Sequence, residues 1–199
     1  MSDLFHIIKQ RRSIRRYKSI IPEMELLKEL IESAIMAPNA MNRQDWQFTI
    51  LLSGETKEAI SQAVERTWNN LCQEQSAIND AIKAYMGNFT TFINAPVLMA
   101  VDVKKPPIFL ETLLKEKTIK VMGSYASACL AVQNLLLAAT AKGLGTCVYT
   151  GCMAAEQEIV RILGIPKQRE LVCLIAIGYP AEQPKTPPRK DLEKVVRII

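Results

Sequence analysis

The chain has 199 residues, which is enough for one well-buried domain and rarely enough for two. Its hydrophobic fraction of 49% and charged fraction of 23% are ordinary for a globular protein and argue against disordered, collagen-like and repeat architectures. The net charge of +5 suits an anionic partner, whether nucleic acid, an acidic surface or a phosphorylated cofactor. We therefore expect a single domain over residues 1–199.

The N-terminus and the cysteines predict a cytoplasmic location. Residues Met1–His6 lack the basic stretch followed by an apolar stretch that marks a secretory signal. The five cysteines are an odd number and lie in apolar surroundings, which is typical of reduced thiols and not of a disulfide framework.

The first half of the chain alternates helical and strand-like patterns. In order, these patterns predict a helix over 3–11, a helix from Pro22-Glu23 to Ile35, a loop over Pro38–Asn42, a strand over Gln47–Leu52 and two helical pieces over 55–93. The proline at the start of the second helix occupies a first-turn position, where its missing N–H costs nothing.

The second half continues this alternation. Its patterns predict a strand over Pro96–Val101, a loop containing a helix over Lys104–Lys117, an uncharged helix over Val121–Ala141, a strand over Thr146–Tyr149, a helix over 154–163, a strand over Leu171–Ile177 and a basic, proline-rich tail. Strands interleaved with helices predict an α/β or α+β layered domain with helices on both faces of the sheet.

The uncharged run 121–141 has nearly the length of a membrane span. It also holds polar and small residues, which favour close packing inside a protein; these include Gly123, Ser124, Ser127, Gln133 and Asn134. We expect no membrane insertion. A helix that is apolar on all sides needs burial on all sides, which in a chain this short predicts that a second subunit covers part of it.

Four arginines occupy positions 11, 12, 15 and 16. An extended backbone after the first helix would bring Arg11, Ser13 and Arg15 to one face, with Ile14 pointing inward. Guanidinium groups and a hydroxyl suit a phosphate beside other oxygen acceptors. A solvated basic turn or a nucleic-acid patch remains an alternative on spacing alone.

The arginines belong to the first of four motifs along the chain. The motifs are Arg-Arg-Ser-Ile-Arg-Arg-Tyr at 11–17, Ala-Pro-Asn-Ala-Met-Asn-Arg-Gln-Asp-Trp-Gln-Phe at 37–48, Ala131–Ala139 with Gly143–Thr146, and Ile177–Pro180 with Pro188–Lys190. In this order and spacing they resemble the motifs of nitroreductase-like flavoproteins, with the weakest match over 55–120. The resemblance implies an α+β fold, a three-layer α/β/α sandwich whose central sheet is mixed and mainly antiparallel. It also implies an intertwined homodimer with FMN in the subunit interface.

The resemblance carries site roles over to matching positions. Arg11 and Ser13 match residues at the phosphate and ribityl end of FMN, and Arg12 matches a further contact beside them. Arg15 matches a cation near the pyrimidine edge of the flavin, where positive charge favours reduction. Arg189 matches a second phosphate-binding arginine.

Two more segments match flavin-contacting positions. The first is a loop that approaches the flavin from the partner chain, with Pro38, Asn39, Ala40 and Asn42. The second is Thr150 and Gly151, whose backbone would face the ring and donate to flavin N5. Two departures occur in the loop: Asn39 stands where serine is common, and Asp45 replaces the proline before the tryptophan.

Other chemistry has weaker support in the sequence. His6, the sole histidine, lies on the first helix without a nucleophile-elbow motif elsewhere, which argues against a hydrolase. Cys147 and Cys152 lack companion ligands at zinc spacing, so we expect packing residues near the cofactor and no metal. An aromatic side chain, Trp68 or Phe109, is a candidate cover for the flavin.

The expected function is an FMN-dependent NAD(P)H oxidoreductase. NADH or NADPH would pass hydride through flavin N5 to a small nitroaromatic- or quinone-like acceptor by a ping-pong mechanism, without a protein acid or base. Alternatives are a flavin-fragmenting or dehalogenating relative, a flavin-binding protein with incidental redox activity, and a nucleic-acid-binding module. The last is weakest because the basic residues are spread over 9–18, 104–120 and 185–197, so we expect no nucleic acid partner.

Overall fold

The computed structural model describes residues 3–74, 85–105 and 117–199. Its α-helices are α1 (Leu4–Gln10), α2 (Met24–Ile35), α3 (Gly54–Glu74), α4 (Lys117–Ala141) and α5 (Glu156–Leu163). Short 3₁₀ helices cover Ala40–Asn42, Gly87–Asn94, Gly151–Ala155 and Leu192–Lys194. Each predicted helix that falls on described residues is present. Most of the predicted loop Lys104–Lys117, including Phe109, lies outside the described residues.

Four strands form one antiparallel sheet in the order β1-β2-β4-β3. They are β1 (Trp46–Leu51), β2 (Val97–Lys104), β3 (Gly145–Tyr149) and β4 (Arg169–Gly178). The four predicted strands are confirmed. The second runs three residues further than its apolar pattern suggested, because Asp102 is buried within it and pairs with Arg169.

Alternate residues of the central strands enter two separate cores. On one face, Met99 and Ile175 pack against α2 and α4. On the other, Leu98 and Leu174 pack with residues of α3, α5 and the Gly151–Ala155 turn. Side chains alternate across a strand, so a sheet buried on both faces needs a helical layer on each side. The predicted three-layer α/β/α sandwich is therefore confirmed.

Helix α4 lies against the sheet beside α2. Its stretch Gly123–Ala141 is long and apolar enough to cross a membrane by length and composition. One side of it, including Ala128, Leu135 and Ala139, is fully buried in the core. Leu130 on the same helix is 48% exposed. In one chain, then, the helix is covered on only part of its circumference.

The arginine segment, residues 11–17, adds a short parallel contact to the antiparallel sheet at the edge strand β3. Ser13 bridges Thr146 in parallel, and the Ile14 N–H donates to the Thr146 carbonyl at 2.9 Å. Further along, the Lys18 N–H donates to the Tyr179 carbonyl at 2.8 Å. The sheet is thus mixed and mainly antiparallel, as the resemblance implied.

Gly145 lets the arginine segment approach β3 closely. Ile14, which is 7% exposed, packs directly over it. A Cβ added to Gly145 would lie 2.7 Å from Cγ1 and 2.8 Å from Cβ of Ile14. Both distances are shorter than any ordinary contact between carbon atoms. A larger residue at Gly145 would force Ile14 or the backbone to shift.

We predict that Gly145→Ala destabilises the protein by roughly 1–3 kcal/mol, the usual cost of overpacking a core contact. Urea unfolding measures this free energy. Gly54→Ala is the matched control, because its added Cβ would meet nothing within 4 Å and alanine is the better helix former. Equal stability of Gly145→Ala and the wild type would contradict the proposed close contact.

Candidate functional site

A small cavity of about 70 Å³ lies between the arginine segment, the end of β3 and the segment that precedes β2. Arg15 contributes a cation to its lining, and Thr150 and Gly151 contribute the turn after β3. The remaining wall comes from Cys147 and Tyr149 of β3 and from Tyr85, Asn88 and Phe89. Three of the predicted site residues thus share one surface.

The extended course of the arginine segment separates its side chains onto two sides. Ser13 and Arg15 both lie close to the Cys147 thiol. Arg12 and Ile14 instead line a second cavity of about 450 Å³ between α1 and the C-terminal tail. Ser13 and Arg15 therefore lie on the same side of the segment, as alternation along an extended backbone predicts. Arg12 lies on the other side.

Glu182 holds the backbone of the arginine segment from the tail side. Its carboxylate accepts from the Arg15 N–H at 2.5 Å and the Arg16 N–H at 3.0 Å, and it pairs with the Arg16 guanidinium at 3.2 Å. Burial alone would raise the pKa of this carboxyl, but the donated hydrogen bonds outweigh burial and lower the pKa below its ordinary value. The orientation of Arg15 thus depends on a residue far along the chain.

The two titratable groups of β3 in the cavity stay protonated at neutral pH. Burial raises the pKa of the Cys147 thiol, and the nearby Arg15 offsets this only in part. Burial likewise raises the pKa of Tyr149, whose hydroxyl lies 2.8 Å from that of Thr91. With both groups neutral, the guanidinium of Arg15 supplies the charge on this wall.

The turn at Gly151 brings the start of a 3₁₀ helix to the cavity wall. Gly151 and Cys152 begin the 3₁₀ helix Gly151–Ala155, so their N–H groups have no acceptor within that helix. The Gly151 carbonyl accepts from the indole N–H of Trp68 at 3.0 Å. A Cβ at Gly151 would lie 2.4 Å from the Phe89 ring. Only a residue without a side chain fits this position.

The loop with Pro38, Asn39, Ala40 and Asn42 does not reach this cavity within one chain. The Ala40 N–H donates to the Ser127 hydroxyl of α4 at 3.3 Å, and the Asn39 side chain accepts from the Gln44 N–H at 2.9 Å. Met41 and Asn42 have left-handed φ values of 55° and 52°, which are strained for residues other than glycine. Surrounding contacts must hold this loop in place.

Asp45 provides one such contact, although the family pattern has proline at its position. Its carboxylate pairs with Arg43 at 3.0 Å and accepts from Ser124 of α4 at 3.2 Å. Its backbone carbonyl accepts from Arg169 at 2.9 Å, and Arg169 also binds Asp102. Asp45 is 8% exposed. This buried network ties the loop to α4 and to the sheet.

The other predicted phosphate contacts are dispersed. Arg11 ends α1, with its N–H donating to the Ile7 carbonyl at 2.9 Å. The Arg12 guanidinium donates to the Lys9 carbonyl at 2.6 Å and also contacts Thr186. Arg189 is exposed in the tail. Their predicted roles toward a phosphate stay predictions.

Several residues of the cavity were missed by the sequence analysis. Tyr85 and Phe89 come from a region where the family motifs are weakest, so no local signal marked them. Trp68, predicted as a possible cover for the flavin, lies behind Gly151 and does not line the cavity. Glu182 is one acidic residue in a basic tail and carried no motif.

A model of the nitroreductase family matches residues 8–179 of this sequence. The chain belongs to the nitroreductase family. A curated relative, NADH dehydrogenase of Thermus thermophilus, is 30% identical over 196 residues, covering 94% of this chain and 91% of the relative. The expected family assignment is therefore confirmed.

Solved structures with this fold extend the comparison. An iodotyrosine deiodinase bound to FMN and 3-iodo-L-tyrosine has a TM-score of 0.78, 28% identity and 98% coverage of both chains. A BluB-like flavoprotein of Clostridium difficile 630 has a TM-score of 0.88 with 24% identity, covering 100% of both chains. The second likeness shows the fold alone. Membership of this family supports an oxidoreductase.

We predict that Glu182→Gln lowers the free energy of unfolding by about 1 kcal/mol at pH 7, because it weakens charge-assisted hydrogen bonds. The folded pKa lies below the unfolded one, so this contribution is complete above the unfolded pKa and is lost as the pH falls through the folded pKa. The difference between variant and wild type should therefore shrink below about pH 4.5, the region of an unfolded glutamate. Denaturant titrations at several pH values measure it.

Exposed Glu193 offers the control. Glu193→Gln removes the same charge without an ion pair in the described part of the chain, and should change stability by less than about 0.5 kcal/mol. A pH-independent loss at Glu182 would contradict the electrostatic role.

Proposed function

We propose that this chain is an FMN-dependent oxidoreductase that uses NADH or NADPH to reduce a small nitroaromatic- or quinone-like acceptor. The observation that carries the proposal is the shared cavity wall of Arg15, Thr150 and Gly151, with Ser13 close beside it. These residues come from two segments separated by more than 130 positions in the sequence. Their convergence supports one binding site better than a diffuse basic surface.

The chemistry of this wall fits a flavin mononucleotide. Arg15 is a permanent cation, suited to the electron-rich edge of a reduced ring. The N–H groups that open the 3₁₀ helix at Gly151 are donors without helical acceptors, and the absence of a Cβ lets the Phe89 ring pack against this backbone. When bound, FMN accepts hydride and passes electrons on to the acceptor.

The chain's own contribution to the reaction is binding, orientation and charge. Cys147 and Tyr149 keep their protons because burial raises the pKa of each, so they place no negative charge against the ring. The Arg15 backbone is held by one hydrogen bond from its N–H to the Glu182 carboxylate. Arg11, Ser13, Arg12 and Arg189 are proposed as the residues toward the phosphate end. None of these roles requires a protein acid or base.

One chain supplies only one wall of the proposed site. The cavity of about 70 Å³ is far below the roughly 300–1,000 Å³ typical of cofactor pockets. We propose a homodimer in which the loop with Pro38, Asn39, Ala40 and Asn42 of one chain completes the site of the other. Exposed apolar side chains near α4 support this assembly, because large apolar patches seldom face water; they include Phe5, Met36, Met41 and Leu130.

The purified protein should be yellow, or become yellow with FMN, and should bleach anaerobically when NADH or NADPH is added. Nitroaromatic or quinone acceptors should then restore the flavin absorbance under the same conditions. The absorbance of the oxidised flavin band follows both half-reactions. A colourless protein that neither retains nor rebinds FMN would refute the proposal.

The assembly is tested by sedimentation velocity. The wild type should sediment with twice the chain mass. Leu130→Glu should shift the protein toward monomer and weaken FMN binding by tenfold or more, since burying an unpaired carboxylate in an interface costs several kcal/mol. Ile162→Glu is the matched control, because Ile162 is 37% exposed on α5, which packs on the other face of the sheet. Identical behaviour of the two variants would contradict the proposed interface.

A dehalogenating activity is the second candidate. It is favoured by the 28% identity and full-length match to the iodotyrosine deiodinase structure. A flavin-fragmenting activity is a related alternative on the same fold. Release of halide from a halogenated phenol, or loss of the flavin spectrum in air after reduction, would identify these activities. Recovery of the spectrum in air with no halide release favours the oxidoreductase.

The proposed location is cytoplasmic, and the proposed partners are a second copy and small molecules. All five cysteines are free thiols, which supports a reducing compartment. The arginine segment is engaged with β3 and Glu182, which supports a local anion site over a nucleic-acid surface.

A further inference from the structure

We propose that Trp68 is a positioning residue of the cofactor site, which fixes the orientation of the Gly151 peptide groups from behind the cavity wall. The inference rests on the proposed function, because it assigns a purpose to the backbone that would face FMN. It adds a residue from α3, a helix that contributes nothing to the described lining of the cavity.

Two aromatic side chains contact Gly151. The indole N–H of Trp68 donates to the Gly151 carbonyl at 3.0 Å. The ring of Phe89 lies so close to the Gly151 α-carbon that an added Cβ would come within 2.4 Å of it. The two rings also pack on each other, with centroids 5.1 Å apart and a tilt of 37°.

This arrangement restrains a residue that would otherwise be free. Glycine lacks the Cβ that limits backbone rotation, so its peptide groups keep one orientation only if outside contacts hold them. The Trp68 hydrogen bond holds the carbonyl, and Phe89 blocks rotation toward itself. The Gly151 N–H lies on the preceding peptide, at the open start of a 3₁₀ helix, so the two contacts restrain it through the Gly151 α-carbon.

The hydrogen bond spans two elements that are distant in sequence. Trp68 lies on α3, and Gly151 follows β3, 83 positions later. Phe89 comes from the 3₁₀ helix Gly87–Asn94, whose Tyr85 neighbour packs edge-on against Phe89 at 5.3 Å. A preorganised hydrogen-bond donor does not have to reorient when a ligand binds, so less free energy is lost on binding. A residue that holds such a donor in place therefore raises the affinity for the ligand.

The test compares Trp68→Phe with Trp46→Phe. Trp68→Phe keeps an aromatic ring and removes the hydrogen-bond donor. Trp46→Phe removes the chain's other indole N–H, in the opposite core, and serves as control. Trp68→Phe should bind FMN about two- to tenfold more weakly, the usual worth of one hydrogen bond. Trp46→Phe should bind FMN as the wild type does. Flavin fluorescence titration measures the dissociation constants.

A spectroscopic signature reports the peptide itself. Thr150-Gly151 is the single Thr-Gly pair in the sequence. Labelling threonine carbonyl carbons with ¹³C and glycine nitrogens with ¹⁵N therefore isolates the Gly151 amide in a carbonyl-correlated NMR spectrum. In the wild type and in Trp46→Phe, this signal should move to one common position on saturation with FMN. In Trp68→Phe it should move to a different position or broaden.

The outcomes separate the two proposals. A wild type that does not bind FMN refutes the proposed function. A wild type that binds FMN, together with a Trp68→Phe variant of unchanged affinity and unchanged Gly151 signal, refutes the role of Trp68 alone.

A measurement on the wild type covers the case in which Trp68→Phe does not fold. The chain has two indole N–H signals, one from each tryptophan. The signal that disappears in Trp46→Phe belongs to Trp46, so the other belongs to Trp68. The Trp68 signal should exchange slowly with solvent and shift when FMN binds. A Trp68 indole N–H that exchanges rapidly with solvent, and whose signal does not shift when FMN is added, would overturn the inference.

Discussion

The pairing of the arginine segment with β3 is the contact on which the candidate site depends. Ile14 donates to Thr146 across Gly145, and this bond converts a cluster of like charges into an extended strand with two distinct faces. Extended backbone separates neighbouring side chains by its pleat. Arg15 therefore lines the cavity, Ser13 lies close to Cys147 in its wall, and Arg12 faces the tail. Without the pairing, four adjacent guanidinium groups would repel one another and spread into solvent.

Burial on both faces of the sheet explains why the site lies at the sheet's edge. The central strands β2 and β4 are enclosed by α2 and α4 on one side and by α3 and α5 on the other, so no ligand can reach them. At the outer strand β3, the backbone ends in the Thr150–Gly151 turn, and donors become available there. The cavity there has a volume of about 70 Å³ in one chain. In the proposed function, a large planar cofactor shares its burial with a second copy of the chain.

The buried charged residues of this fold also hold the loop before β1 in place. Asp102 and Arg169 form an ion pair between β2 and β4, and Arg169 also binds the Asp45 carbonyl. Isolated buried charges are costly, so each member requires the others. Asp45 thereby anchors a loop in which Met41 and Asn42 adopt left-handed backbone. Where the family pattern uses the rigid ring of proline, this chain uses an ion pair and two hydrogen bonds to hold the same segment.

The sequence by itself determined the layered fold, the strands and helices of the described residues, and the family, because these depend on periodicity and on motifs that are local in the chain. It also paired Ser13 with Arg15, since alternation follows from an extended backbone. Tertiary structure alone decided that Trp68 lies behind Gly151, that Glu182 fixes the arginine segment and that Asp45 is buried. Each of these rests on contacts between residues 79 to 167 positions apart. Such contacts depend on how the layers pack, and no local pattern records them.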